Sequence, residues 1–313
     1  MTAGRATRGC DMSNDLLRRL DALKRERSAV ILAHNYQRPE VQDAGDFTGD
    51  SLGLSREAAK TDADVILFCG VHFMAETAAI ICPDKTVLIP DEHAGCPMAN
   101  MVTPRELQKA KDEHPGAAVV TYVNSTAAIK AMSDVCCTSA NAAAVVDSIP
   151  NDREVLFVPD QSLGSWVSKQ LGRELILWPG YCPTHHRMLA GHVRAAREAH
   201  PDAEVVVHPE CLDEVVDLAD HVASTSGMLR YCTESKSKQF IIGTETGMLH
   251  PLRKQNPGKE FFPVTDLADC PNMKLNTLEK MVWALEDMEH RVEVPGEVAG
   301  RARGAIERML AIG

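Results

Sequence analysis

Three stretches of this chain carry the same landmarks in the same order at nearly constant spacing, and that repetition restricts the fold more than any other feature. Strand-like apolar runs end at His34 in Ala-His-Asn-Tyr, at Tyr122 in Tyr-Val-Asn-Ser and at His208 in His-Pro-Glu-Cys, 88 and 86 residues apart. Seventeen residues after each stands a hydroxyl residue at the head of a helix-like stretch: Ser51, Ser139 and Thr225. At offsets of 62, 60 and 62 residues a cysteine precedes a proline, in Cys96-Pro97, Cys182-Pro183 and Cys270-Pro271. Such recurrence marks one supersecondary unit used three times.

Within the repeats, short apolar runs at 30–33, 65–69, 86–89, 118–122, 155–158, 175–178, 205–208 and 239–243 read as buried strands, and 51–60, 140–149 and 226–235 have helical composition. Strands alternating with helices imply parallel sheets covered by helices. The expected fold class is α/β: three homologous three-layer α/β/α domains with short parallel sheets around a pseudo-threefold axis. The units are placed at 15–103, 104–188 and 189–285, with a disordered lead-in at 1–14 and a C-terminal helical segment at 286–313. Ligand-binding side chains of parallel α/β units stand at the carboxyl ends of strands. Three like units packed around one axis therefore bring three cysteines, three hydroxyls and three strand-end polar residues to one centre.

The balance of 33 basic against 44 acidic residues, a net charge of −11, argues against nucleic acid and anionic membranes as partners. It does not exclude small anionic substrates in a locally positive site. No apolar run approaches the roughly 18–20 residues that span a bilayer, and Arg5 and Arg8 have no apolar stretch behind them that would make a secretory signal. Ten cysteines without an export signal point to a reducing, cytoplasmic setting. None forms a Cys-x-x-Cys pair, which removes the zinc-ribbon and thioredoxin readings. Any metal site must be assembled from distant parts of the chain.

Three thiolates can hold a zinc ion with one open position, or three irons of a [4Fe–4S] cluster. Cys96, Cys182 and Cys270 are the candidate ligands, because they alone share the repeat position. Cys69 and Cys232 read as core residues, Cys10 falls in the lead-in, and Cys82 has no counterpart in the other repeats; Cys136, Cys137 and Cys211 are left open. Ser51, Ser139 and Thr225 stand at helix starts, whose unpaired N–H groups suit a phosphate or carboxylate. His34, Tyr36, Tyr122, Asn124, His185, His208 and Glu210 supply donors, acceptors and a base. His186 is expected to face away from the centre, and the other eight histidines hold no repeated position.

Ala33-His34-Asn35-Tyr36, Gly49-Asp50-Ser51, the segment 94–99, Tyr122-Val123-Asn124-Ser125, Cys182-Pro183-Thr184-His185, His208-Pro209-Glu210, Ser224-Thr225-Ser226 and Cys270-Pro271-Asn272-Met273 resemble, in order, the signature segments of the quinolinate synthases. The resemblance runs from about residue 28 to 280. It implies a triangle of three α/β domains around a [4Fe–4S] cluster held by Cys96, Cys182 and Cys270, with the fourth iron free of protein ligands. It implies the condensation of iminoaspartate with dihydroxyacetone phosphate to quinolinate, with loss of phosphate and two waters, on a route to NAD. Carried over by motif, Tyr36, Tyr122, His208 and Glu210 are the catalytic candidates. His34, Ser51, Asn124, Ser139, His185, His208, Glu210 and Thr225 are the substrate-binding ones. L-aspartate oxidase is the expected transient partner that hands over iminoaspartate. Some relatives carry two further cysteines shortly before the last ligand; Val264 and Leu267 stand there in this chain, so no local disulfide switch is expected. The competing readings are another zinc or iron–sulfur hydro-lyase acting on a small acid, and a cluster-bearing sensor.

Overall fold

The first repeat comprises helix α1 (Ala3–Glu26), strand β1 (Ala29–His34), α2 (Pro39–Ala44), β2 (Phe47–Gly49), α3 (Ser51–Lys60), β3 (Val65–Cys69), α4 (His72–Ile81) and β4 (Thr86–Leu88). The second repeats that order with α5 (Pro104–Glu113), β5 (Ala118–Tyr122), α6 (Ala127–Lys130), β6 (Val135–Cys137), α7 (Ala142–Asp147), β7 (Val155–Val158), α8 (Gln161–Leu171) and β8 (Ile176–Leu177). The third follows with α9 (Ala190–Ala199), β9 (Glu204–Val207), α10 (Asp213–Val216), β10 (His221–Val222), α11 (Thr225–Glu234), β11 (Gln239–Gly243), α12 (Leu249–Gln255) and β12 (Glu260–Pro263), and the chain closes with α13 (Leu278–Asp287) and α14 (Gly296–Ala311). This computed structural model describes residues 3–312, with side chains from residue 14 onward.

Each repeat forms its own four-stranded parallel sheet, and the strand order is the same in all three: β2-β1-β3-β4, β6-β5-β7-β8 and β10-β9-β11-β12. One device recurs in every sheet. Asp46, Asp134 and Asp220, each twelve residues past its landmark, accept the backbone N–H of Ile31, Val119 and Val205 at 2.8, 2.8 and 2.7 Å. Their own N–H groups bond back to the carbonyls of the same three residues. Each aspartate thus fixes the entry to an edge strand against the first strand of its unit.

Both faces of the first sheet are buried, as period-two alternation requires. Ile31, Ala33, Leu67 and Leu88 face α1 and α13 with Leu20, Leu23, Met281 and Leu285, while Val30, Leu32, Ile66 and Phe68 face the opposite core. That opposite core runs on into the second repeat through Val120, Phe157, Leu163 and Val167, so the first two sheets share one apolar interior. α14 lies over β6, α6 and α4 and buries Ala302, Ala305, Ile306 and Met309 against them.

The structure departs from the sequence reading at several points. α1 starts at Ala3, inside the stretch 1–14 read as a disordered lead-in; Met1 and Thr2 lie outside the described residues. α13, whose first residues were placed in the third unit, crosses back to cover the first sheet beside α1. β2, β6, β10 and β12 were not anticipated; they are strands of two to four residues at sheet edges. Among the described residues, no helix is long and apolar enough to cross a membrane.

Candidate active site

The three repeats meet at a cavity of about 130 Å³ whose wall contains Cys96, Cys182 and Cys270 together with His34, Tyr36, Ser51, Tyr122, Asn124, Ser139, His185, His208, Glu210 and Thr225. Every candidate residue named from the sequence therefore lines one pocket. The cysteine loops are held there by equivalent backbone bonds. The N–H of His72, Gln161 and Thr246, each just past a strand end, donates to the carbonyl of Ala94, Gly180 and Ala268, two residues before the cysteine in each case.

After each cysteine and proline the chain makes a short 3₁₀ turn, Met98–Asn100, His185–Arg187 and Met273–Leu275. Backbone N–H groups of these turns face the sulfurs: Met98 and Ala99 at Cys96, His185 at Cys182, Asn272 and Met273 at Cys270. Burial nonetheless pushes the free thiols up, Cys96 to about 12 and Cys182 and Cys270 also above their ordinary value. Thiols that resist ionisation yet face several N–H donors suit sulfur whose charge is neutralised by bound metal. The remaining cysteines with described side chains are elsewhere. Cys69, Cys82, Cys136, Cys137, Cys211 and Cys232 are buried in the apolar cores, and no disulfide joins any described pair.

A continuous hydrogen-bonded chain crosses the pocket and links all three repeats. Tyr36 Oη lies 2.6 Å from Thr244 Oγ1, which lies 2.9 Å from His185 Nε2. His185 Nδ1 is 2.7 Å from Glu210 Oε2 and 3.1 Å from Cys182 Sγ. Glu210 Oε1 accepts from Tyr122 Oη at 2.6 Å and from Asn124 Nδ2 at 3.2 Å. With Nδ1–H of His185 donating to the carboxylate, Nε2 accepts from Thr244 and Thr244 accepts from Tyr36. Cys182, His185 and Glu210 also form a group of donor atoms within 4.8 Å of one another that could hold a metal ion.

Burial alone would raise the Glu210 carboxyl, but His185, His208 and the Tyr122 hydroxyl outweigh it and hold the group below the usual carboxylate range. Tyr36 and Tyr122 are pushed well above their ordinary value, first by burial and then by the Glu210 charge. Burial lowers His34 and His208 to about 3, so both rings are neutral near pH 7. Each accepts a backbone N–H at Nδ1, from Tyr36 and from Glu210. Their protons therefore sit on Nε2, and His208 Nε2 lies 3.1 Å from Ser139 Oγ. His186 turns outward, stacking on Tyr181 and meeting Ser162 at 2.9 Å.

The hydroxyl residues open helices in the first and third repeats, whereas the second repeat differs. Ser51 and Thr225 open the ten-residue helices α3 and α11 directly behind the caps Asp50 and Ser224, which accept from Gly53 and Gly227. Ser139 lines the pocket from a turn that precedes the six-residue α7, where Asn141 Oδ1 accepts from Thr138 rather than capping the helix. Sequence reasoning missed Thr244, Glu245 and Arg187, all at the pocket or bonded into it. Glu245 had a visible signal, since an acid stands two residues past the strand end in the second repeat as well, at Asp160.

Three like parallel sheets that converge on a pocket of half-buried cysteines, buried histidines and carboxylates define an α/β enzyme whose donor set could hold a metal. Residues 18–311 match the family described as Quinolinate synthetase A protein, and the chain belongs to that family. Proteins named quinolinate synthase from Methanosarcina barkeri and Geobacter metallireducens are 54% and 58% identical to it, over 95% and 93% of this chain and 98% and 95% of theirs. One from Thermodesulfovibrio yellowstonii is 53% identical over 96% of this chain and 99% of its own length.

Proposed function

We propose that this chain condenses iminoaspartate with dihydroxyacetone phosphate to quinolinate, with loss of phosphate and two waters, and that Cys96, Cys182 and Cys270 hold a [4Fe–4S] cluster. The convergence of the three repeat-equivalent cysteines on one buried pocket carries the reading. The donor set fits the group: three sulfurs, one from each repeat, with turn N–H groups facing each. When bound, the cluster supplies a Lewis-acidic iron that polarises a substrate oxygen.

The chain's own residues bind, orient and move protons. Ser51, Thr225 and Ser139 meet the anionic groups of the substrates, the first two with the N–H groups at the starts of α3 and α11 behind them. Asn124 Oδ1 has no partner in the protein and accepts from substrate. Neutral His34 and His208 donate through Nε2. Glu210 takes protons during dehydration and ring closure. Tyr122 and His185 bond directly to that carboxylate, and Tyr36 reaches it through Thr244 and His185. The units 15–103, 104–188 and 189–285 each contribute one sheet and one cysteine. A cytoplasmic setting suits the nine unpaired cysteines among the described side chains, and an L-aspartate oxidase suits the supply of a hydrolysis-prone imine.

The Cys182, His185 and Glu210 group favours a second reading, a hydro-lyase with a single zinc ion. The test is anaerobically prepared protein given dihydroxyacetone phosphate and freshly generated iminoaspartate, with iron, sulfide, zinc and quinolinate all measured. Quinolinate that requires the cluster supports the first reading. Zinc at one ion per chain and no quinolinate supports the second.

A further inference from the structure

In the wall of the pocket, which Glu245 helps to line, lies an ion pair that belongs to no repeated pattern. Glu245 is fully buried, one residue past Thr244. Its Oε1 meets Lys274 Nζ at 2.8 Å and accepts the N–H of Cys270 at 3.1 Å, while Oε2 accepts from Gly247 N–H at 2.8 Å. Lys274 Nζ in turn donates to the Tyr36 carbonyl at 2.6 Å, and Arg38 Nε donates to the Lys274 carbonyl at 2.8 Å. The loops approach so closely at Gly247 that a Cβ there would come within 2.9 Å of the Tyr36 carbonyl carbon.

The equivalent position is Val71 in the first repeat and Asp160 in the second, and no cation pairs with Asp160 among the described residues. The shared scaffold therefore does not require the pair. What distinguishes the third repeat is that its cysteine loop bears directly on the loop carrying Tyr36. A pair buried this deeply adds little net stability compared with apolar side chains of the same size, but it specifies geometry, since both Glu245 oxygens are satisfied and the Lys274 ammonium bridges Glu245 and the Tyr36 carbonyl, with Asp269 at 3.9 Å.

We propose that Glu245 and Lys274 are positioning residues that lock the Tyr36 loop to the Cys270 loop, setting the tyrosine hydroxyl and the third metal-ligating sulfur together. The importance of those two groups rests on the function proposed above; the coupling of the two loops does not. Glu245 stands in the pocket wall, but both its oxygens and the Lys274 ammonium are engaged by protein groups. Each acts through backbone groups, Glu245 on Cys270 and Lys274 on Tyr36.

The test compares the parent, Lys274→Met, Lys274→Arg and the double variant Glu245→Gln with Lys274→Met. The double variant leaves no buried charge unpaired, so it separates folding from positioning. Amide hydrogen exchange and cysteine alkylation are read on metal-free protein. In the double variant, exchange at residues 37–45 accelerates at least tenfold and Cys270 alkylates several-fold faster, while Cys96 and Cys182 keep their rates. Lys274→Arg restores slow exchange, because its guanidinium still reaches the Tyr36 carbonyl. Parent-like exchange and alkylation in the folded double variant overturn the proposal, as does an equal rise at all three cysteines. Neither readout uses substrate, so a failure to make quinolinate would count against the function and leave this result standing.

Discussion

Tyr122 Oη donates to Glu210 Oε1 across 2.6 Å, so the strand end of the second repeat is bonded directly to that of the third. Glu210 is 3% exposed and receives Tyr122, Asn124 and His185 at once. The pseudosymmetry of the fold thus ends in an asymmetric centre in which one carboxylate, Glu210, gathers donors from the second repeat.

Glu210→Gln keeps the shape but turns one acceptor into a donor that faces existing donors. Turnover is expected to fall by about 10² to 10⁴-fold, the range of a lost general base. Iron and sulfide content stay at the parent level. Quinolinate formation followed by mass spectrometry checks this, and parent-like turnover would remove Glu210 from the proton-transfer role.

The cysteines separate into two classes. Cys96→Ser, Cys182→Ser and Cys270→Ser should each lose most of the bound iron, because each removes one of the three proposed ligands. Cys69→Ala and Cys211→Ala, in the cores, should keep parent iron content and cost about 1 kcal/mol of stability. Iron assay and urea unfolding of the five variants decide it; iron retained by Cys270→Ser would break the ligand set.

Much of this architecture could be read from spacing alone. The recurrence at 34, 122 and 208 placed all three cysteines and every named polar residue at one pocket. The missed strands β2, β6 and β10 form one edge of each sheet and have two or three residues, too few to show an alternating pattern. Asp46, Asp134 and Asp220 were present at a constant offset of twelve, yet an aspartate in a loop has no distinctive chemistry until its strand partner is known. Thr244 is an ordinary threonine in sequence; it becomes part of the hydrogen-bonded chain across the pocket only because Tyr36 and His185 arrive from the other two repeats. α13 carries no mark of its destination, since its apolar face would suit any sheet.

Acid should destabilise the metal-free protein in a defined window. His34 and His208 have folded values near 3 against an ordinary value of 6.5, so between those limits the unfolded chain binds protons that the folded chain does not. Stability then falls as pH falls through that window. At about 1.4 kcal/mol per pH unit for each ring, the two together remove about 4 kcal/mol between pH 6.5 and 5. Glu210 acts in the same direction at lower pH, its contribution being present above 4.5 and lost below it. Urea unfolding at pH 7 and pH 5 measures the loss, which His34→Gln combined with His208→Gln should largely abolish; equal stability at the two pH values would count against neutral buried histidines.

Mild oxidation should leave activity intact as long as the cluster survives. Val264 is buried and Leu267 is exposed on the segment leading to Cys270, so no local thiol pair exists there to close. Activity assayed with and without a dithiol reductant, at matched iron and sulfide content, should agree. A sharp loss under oxidant with the cluster intact would require a disulfide elsewhere, and the buried core cysteines offer poor candidates.

The three aspartate staples give a stability effect with no catalytic counterpart. Asp134→Ala leaves the Val119 N–H without its partner inside the sheet and removes the Arg153 contact at the surface. An unsatisfied buried N–H costs about 1–3 kcal/mol. Asp46→Ala and Asp220→Ala should behave alike, since Ile31 and Val205 are held in the same way. All three positions lie outside the pocket lining, so kcat and KM should stay at parent values while the urea midpoint falls. If one of the three instead changes KM at unchanged stability, the repeats are not equivalent at that staple and the strand it fixes must bear on substrate directly.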